Sequence, residues 1–466
     1  MTTCSSSTDT SLSHTERTQL MSTLPLLAIS ATIGASSSLA FQAPPICAEG
    51  KPTLLLSSPT DGIGSETKET LQVQQTELQK LCADLGIKTE LVLGEDGDGI
   101  RGLYVGGTDD SEVDDQLLSV PLSSCLRDDE PPSWFQRDDE DDNPPNSYSG
   151  GSEWAIRLAA SLIDLRLQQG SGEELNNRRK KLSTWMSMLP DASDFRASLP
   201  IHWTSDVLKS AKCQALELAV DSAYFGRANA VMDLSEALKD VDQQSDDEIL
   251  RKCHDALDVV QTRTCRVNLG DGDDSMPLRL LAPIFDLLNH DPSANAGFAL
   301  ERTNDDQEVL VVRATRPIAR GEEVFISYGD SSTAPAWKCL LSYGFVPQFD
   351  ISDFRNAVEL ECDGVTASVA ADNVPFELAE AAAGFLAAAE DRVLTERDDI
   401  FTPEVARRIA KRAAEEAGTL LEGDGEILVH EETALSMSLA KALRLSHHRV
   451  LESWSNSLME FADAND

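Results

Sequence analysis

The chain has 466 residues, more than one ordinary core accommodates, so two or three domains with additional leader or loop material are expected. At 41% hydrophobic residues it can bury sizeable cores, which excludes a disordered protein. Its 80 Asp and Glu against 39 Lys and Arg give a formal net charge of −41, a field that disfavours nucleic acid or an anionic membrane as partner and favours a basic polypeptide segment.

In chain order, residues 1–20 are polar and rich in Ser and Thr. An apolar run over 24–35 follows, and then small residues ending in Ser38-Leu39-Ala40. About a dozen apolar residues are too few to span a bilayer and suit a signal-peptide core. With Phe41 next, residues 1–50 resemble the bipartite leader of proteins imported into secondary plastids. A plastid location is therefore expected, with the cytoplasm as the alternative. The nine cysteines form no CxxC or CxC pair, so neither a zinc cluster nor a dense disulfide framework is expected, and no metal is assigned. A reducing compartment agrees with that spacing.

Leu71, Leu78, Leu81 and Leu85 predict a helix over 65–85 that stops at Gly86. Residues 88–93 and 101–105 read as short strands around a glycine-rich acidic loop, and 115–122 as a strand ending near Pro121. The stretch 127–151 is an acidic insertion dense in Pro, Ser and Gly, to which no chemistry is assigned. The apolar spacing from Trp154 to Leu167 predicts a buried helix over 153–168, and 204–262 reads as mostly helical. Short strands are expected at 279–289, 296–301 and 308–315, with a loop at 270–274. Three helices follow at 374–394, 402–421 and 427–461. The second starts on a strong signal, Thr402 as cap and Pro403 at the first turn. The fold class expected is α+β, with short sheets interrupted by helices and an all-α C-terminal domain.

Two segments carry chemistry. Pro283-x-x-Asp286-x-x-Asn289-His290 places an acid, an amide and an imidazole after an apolar strand. Gly321-Glu-Glu-Val-Phe-Ile-Ser-Tyr328-Gly329, followed by Tyr343-Gly344-Phe345, places a tyrosine at a strand end and two more aromatic rings after a short helix. Each piece alone is commonly a turn or a cap; their order within about 65 residues is the signal. That order resembles the SET-domain methyltransferases. The resemblance is to the group with a split SET domain and a C-terminal helical domain, which includes the Rubisco large-subunit lysine methyltransferase and the actin histidine methyltransferase. Upstream, Arg101-Gly102-Leu103-Tyr104-Val105 resembles the family's first turn and strand. Thr262-Arg263-Thr264 resembles its arginine element.

The resemblance implies a SET domain over 88–348, split by a helical insertion at about 153–262, and a substrate-binding helical domain over 349–466. It implies S-adenosyl-L-methionine as cofactor, held by Ile100, Arg101, Gly102, Leu103, Arg263, Asn289, His290, Tyr343 and Phe345. It makes Tyr328 the catalytic residue. It puts Arg263, Asp286, Tyr328 and Tyr343 on the substrate side. The substrate would be a protein offering a lysine, or alternatively a histidine, in an accessible segment, with no nucleic acid or stable membrane insertion. A non-catalytic interaction module is the reading from another class. Two departures stand out: Ile100 where the family's turn has a glycine, and a longer loop before Tyr343, in which Ser332 or Thr333 is expected to cap the helix.

Overall fold

The computed structural model describes residues 39–40, 66–96, 100–135, 153–167, 173–269, 276–328, 335–347, 355–370, 373–394, 400–422 and 434–466. The expected leader (apart from residues 39 and 40), the loop 270–274, most of the acidic insertion, Ser332 and Thr333 lie outside the described residues.

A short strand β1 (Leu39–Ala40) precedes helix α1 (Glu66–Leu85), which stops at Gly86 as its leucine spacing predicts. The strand expected at 88–93 divides into β2 (Lys88–Thr89) and β3 (Leu91–Glu95). The reason is local: the Thr89 hydroxyl donates to the Leu117 carbonyl and accepts from the Leu91 amide. β2 therefore joins one sheet and β3 another. β4 (Arg101–Val105), β5 (Gln116–Pro121) and β6 (Leu126–Arg127) follow. The insertion comprises α2 (Glu153–Arg166), α3 (Glu173–Met188), α4 (Ala192–Ser198), α5 (Ser205–Ser210), α6 (Gln214–Lys239) and α7 (Asp246–Arg263). Helix α3 escaped the sequence reading because it is strongly polar; Leu182, Trp185 and Met188 near its end are buried.

The strands resume with β7 (Cys265–Leu269), β8 (Met276–Leu281), β9 (Asn289–His290), β10 (Ala296–Arg302), β11 (Glu308–Ala314) and β12 (Phe325–Ile326). β10, β11, β5 and β2 form one sheet; β6, β8 and β7 form another. The strand expected at 279–289 is corrected: it ends at Leu281. Pro283 has no amide hydrogen to continue a ladder, and Ile284 takes a positive φ of 72°, strained for a β-branched residue. One tight turn over Phe285–Leu287 then delivers the chain to β9.

After α8 (Ala336–Tyr343), the C-terminal region is helical, with α9 (Phe376–Ala389), α10 (Pro403–Leu421) and α11 (Ala434–Asn465). It also holds a hairpin that the all-α expectation lacked, β13 (Val358–Cys362) and β14 (Val365–Val369). Its signals are a buried face of Val358, Leu360 and Cys362 and an Asp363-Gly364 turn with both φ angles positive. β15 (Asn373–Val374) pairs with β1.

Three hydrophobic clusters hold these parts. The largest joins the sheets to α1, α2 and α7; another lies among the hairpin, α9, α10 and α11. The third packs Leu216 and Val220 of the insertion, Ala336 and Leu340 of α8, and Ala440 and Leu443 of α11. It fixes α8, and with it Tyr343. Among the described residues no helix is long and apolar enough to cross a membrane.

Candidate active site

Two crossings of the chain assemble the late motifs. β9 and β12 run parallel, pairing Asn289 with Phe325 and His290 with Ile326. Tyr328 follows two residues after β12, and its amide donates to Nδ1 of His290 at 3.2 Å. The Ile326 carbonyl stands 3.3 Å from the same nitrogen and would accept from it in the other tautomer; the shorter amide contact is taken as the bond. Nδ1 is therefore the acceptor and the ring hydrogen sits on Nε2. Burial lowers the His290 pKa, which keeps the ring neutral, and Nε2 is buried with no partner among the described residues.

Aromatic rings close around Tyr328. Ring centroids lie 5.2 Å away for His290, 5.0 Å for Tyr343 and 6.3 Å for Phe345, and Tyr343 stacks on Phe345 at 6.1 Å. These tilted and edge-on contacts are the favoured aromatic geometries. Tyr343 and Phe345 reach the cluster because Gly344 ends α8 at a φ of +79°; a Cβ there would also meet Ser198 of α4 at 2.9 Å. The Tyr328 hydroxyl turns inward and donates to the Leu288 carbonyl at 2.7 Å. Burial pushes its phenol up to about 12, opposed by the Arg263 charge, so it stays protonated at neutral pH.

Arg263, the last residue of α7, donates from Nη1 to the Asp286 carbonyl at 2.8 Å, while its Nε is buried with no hydrogen-bond partner among the described residues. The Asp286 side chain, expected on the substrate side, is enclosed; the residue is 7% exposed and accepts from the Trp185 indole at 3.2 Å. Burial raises the Asp286 pKa, with Arg263 opposing.

The early strand meets this assembly through backbone and one carboxylate. The Val324 amide donates to the Leu103 carbonyl at 2.7 Å, and the Val105 amide to the Glu322 carbonyl at 3.0 Å. Asn289 Nδ2 donates to the Arg101 carbonyl at 2.8 Å and to Glu323 Oε1 at 2.7 Å. The Tyr104 hydroxyl donates to Glu323 Oε2 at 3.1 Å. Glycine is required at 102 from within the protein: a Cβ there would come within 2.0 Å of Glu323 Oε1 and 2.9 Å of Asn289 Nδ2. The Leu103 side chain is fully buried in the core, so only its backbone can face a ligand. Ile100 is 56% exposed, with its amide donating to Asp96.

Tyr328, His290, Tyr343 and Phe345 thus come together, with Asn289, Arg101 and Gly102 adjoining. Arg263 and Asp286 lie within electrostatic reach of the phenol, and Ile100 stands at the surface. Sequence reasoning passed over four residues. Glu323 stood inside the quoted motif without a role. Tyr104 and Trp185 find their partners far along the chain. Asn295, fully buried, clamps the turn into β12 by donating to the Glu323 carbonyl and accepting from the Phe325 amide, both at 2.7 Å. No local pattern marks it.

Residues 158–329 match the family model of the SET domain, and the chain carries that domain. The match runs from α2 to the residue after Tyr328. Among solved structures, a Rubisco LSMT bound to sinefungin and monomethyllysine is similar at a TM-score of 0.50 and 15% identity, over 84% of this chain and 94% of that one. The SET domain of LSMT bound to lysine and AdoHcy gives a TM-score of 0.49 at 14% identity, over 85% and 92%. At such identities the likeness is one of fold. A search of curated proteins gives no match.

Proposed function

We propose that the protein is an S-adenosyl-L-methionine-dependent protein-lysine N-methyltransferase. The observation that carries this reading is the ring of His290, Tyr343 and Phe345 around a protonated Tyr328, directly beside Asn289-His290 within a SET domain. The ligands named with the similar Rubisco LSMT structure, sinefungin and monomethyllysine, support it.

The residues present fit the cofactor. Arg263 Nε and His290 Nε2 are buried polar atoms without hydrogen-bond partners among the described residues, and two such donors suit a carboxylate. Asn289, His290, Arg263 and the backbone at Arg101–Leu103 would hold its amino-acid end. When bound, the cofactor supplies a methyl carbon made electrophilic by its sulfonium.

The remaining work falls to this chain. A lysine, ordinarily near a pKa of about 10.4, must enter neutral. Aromatic walls that exclude water disfavour its ammonium form. Tyr328 already donates its hydrogen to Leu288, so its oxygen is left to accept one from the amine and hold the nitrogen in line. Because the phenol resists ionisation, it does not become an anion that would trap the ammonium. The acidic field of the chain favours the approach of a basic substrate segment.

The leader pattern and Phe41 support a plastid protein as the target. The test is incubation of the protein, without its leader, with radiolabelled S-adenosyl-L-methionine and a plastid extract. Label should appear in a protein band and be recovered as methyllysine after hydrolysis. No labelled protein, together with no S-adenosylhomocysteine binding by calorimetry, overturns the reading. A fluorescent fusion of the first ~60 residues should enter plastids; a diffuse cytosolic signal overturns the location.

A further inference from the structure

We propose that Glu323 binds the α-ammonium group of the cofactor's methionine half, so that this chain recognises that group with a side-chain carboxylate. The proposal rests on the methyltransferase reading above and assigns one part of the same site.

Glu323 is a carboxylate without a counter-charge. It is half-buried, and its side-chain partners are the neutral Asn289 amide and the neutral Tyr104 hydroxyl. No ion pair joins it to a Lys, Arg or His among the described residues. The charges of Asp96 and Asp291 act with burial to push its pKa up, opposed by the Asn289 and Tyr104 hydrogen bonds. A half-buried carboxylate in the field of two others is unfavourable until a positive group arrives. Yet the surroundings hold it in place. The absence of a side chain at Gly102 leaves room for its Oε1, and the buried Asn295 secures its backbone.

The cation that fits is selected by position. Glu323 Oε1 shares the Asn289 Nδ2 hydrogens with the Arg101 carbonyl, on the early strand rather than among the rings. A substrate lysine must reach the aromatic cluster and must be neutral there, so it is not the counter-charge. The cofactor's amino-acid end is a zwitterion. Its carboxylate has two unmet donors, Arg263 Nε and His290 Nε2, and Glu323 meets its ammonium. Hydrogen bonds between an ammonium and a carboxylate are among the stronger ones available.

The test is calorimetric titration with S-adenosylhomocysteine and with its des-amino analogue, for the wild type and for Glu323→Gln. Glutamine keeps the size and an acceptor for Asn289 but removes the charge. The wild type should prefer S-adenosylhomocysteine by about tenfold or more. Glu323→Gln should lose that preference while binding the des-amino analogue as the wild type does. No preference in the wild type overturns the assignment, whatever the variant does. So does a variant that retains the preference, or that weakens both ligands equally. In each of those cases the methyltransferase reading survives. A wild type that binds neither ligand removes both.

Discussion

Two histidines, each with a buried Nε2, distinguish the strand-built half of the molecule from its helical end. His290 and His447 each carry an Nε2 with no partner among the described residues, and burial lowers the pKa of both. His290 sits in a ring of aromatic side chains, with Nδ1 engaged by the Tyr328 amide and a second unmet donor on Arg263. His447 sits on α11, 4% exposed, between Leu443 of one hydrophobic cluster and Val450 of another. Unmet polar atoms near the tyrosine proposed to be catalytic are capacity for a ligand. An unmet imidazole between two apolar clusters is a stability liability that surfaces with pH. The same chemical feature therefore has opposite readouts, binding and turnover in one half, folding in the other.

The sharpest way to break this comparison is Tyr328→Phe. Turnover should fall by about 10²-fold or more while S-adenosylhomocysteine affinity stays within about twofold. Retained turnover would move the transfer point to another residue. The counterpart is acid unfolding through His447. Its folded pKa of about 4 lies below the ordinary 6.5, so the unfolded chain binds the proton more tightly. Stability from this group is complete above pH 6.5 and is lost as pH falls toward 4, a change of ~3 kcal/mol at about 1.4 kcal/mol for each pH step. Urea titrations at several pH values should show that this part of the slope disappears in His447→Gln. An unchanged slope would mean that the imidazole is solvated.

Smaller effects refine the boundary between the halves. Trp185→Phe removes the indole that donates to buried Asp286, and should cost about 1–3 kcal/mol in urea unfolding. An unchanged midpoint would show that Asp286 finds another partner. Thr402→Ala removes the hydroxyl that accepts from the Val405 amide at the start of α10, and should cost about 1 kcal/mol. It should leave S-adenosylhomocysteine affinity untouched, since among the described residues the Thr402 hydroxyl bonds only within its own helix start and touches no site residue. A change in affinity would join the halves that the comparison separates.

The amino-acid sequence by itself determined what depends on neighbours along the chain. Leucine spacing and Gly86 set α1, and Thr402-Pro403 set the start of α10. The motif from Pro283 to His290 and the run ending at Tyr328 marked the site, because their residue types and order are local properties. The Asp363-Gly364 hairpin was equally local, although the Ala-rich helices after it drew attention first. Only the tertiary structure decided the partners. Tyr104 meets Glu323 across 219 residues, and Trp185 meets Asp286 across 101. The parallel pairing of β9 with β12 and the cluster that seats α8 bring the four rings together. Periodicity shows which face of an element is buried, but not which distant element it is buried against. The need for glycine at 102 is of that second kind: the atoms that exclude a side chain there belong to Glu323 and Asn289, and strand register alone brings them to it.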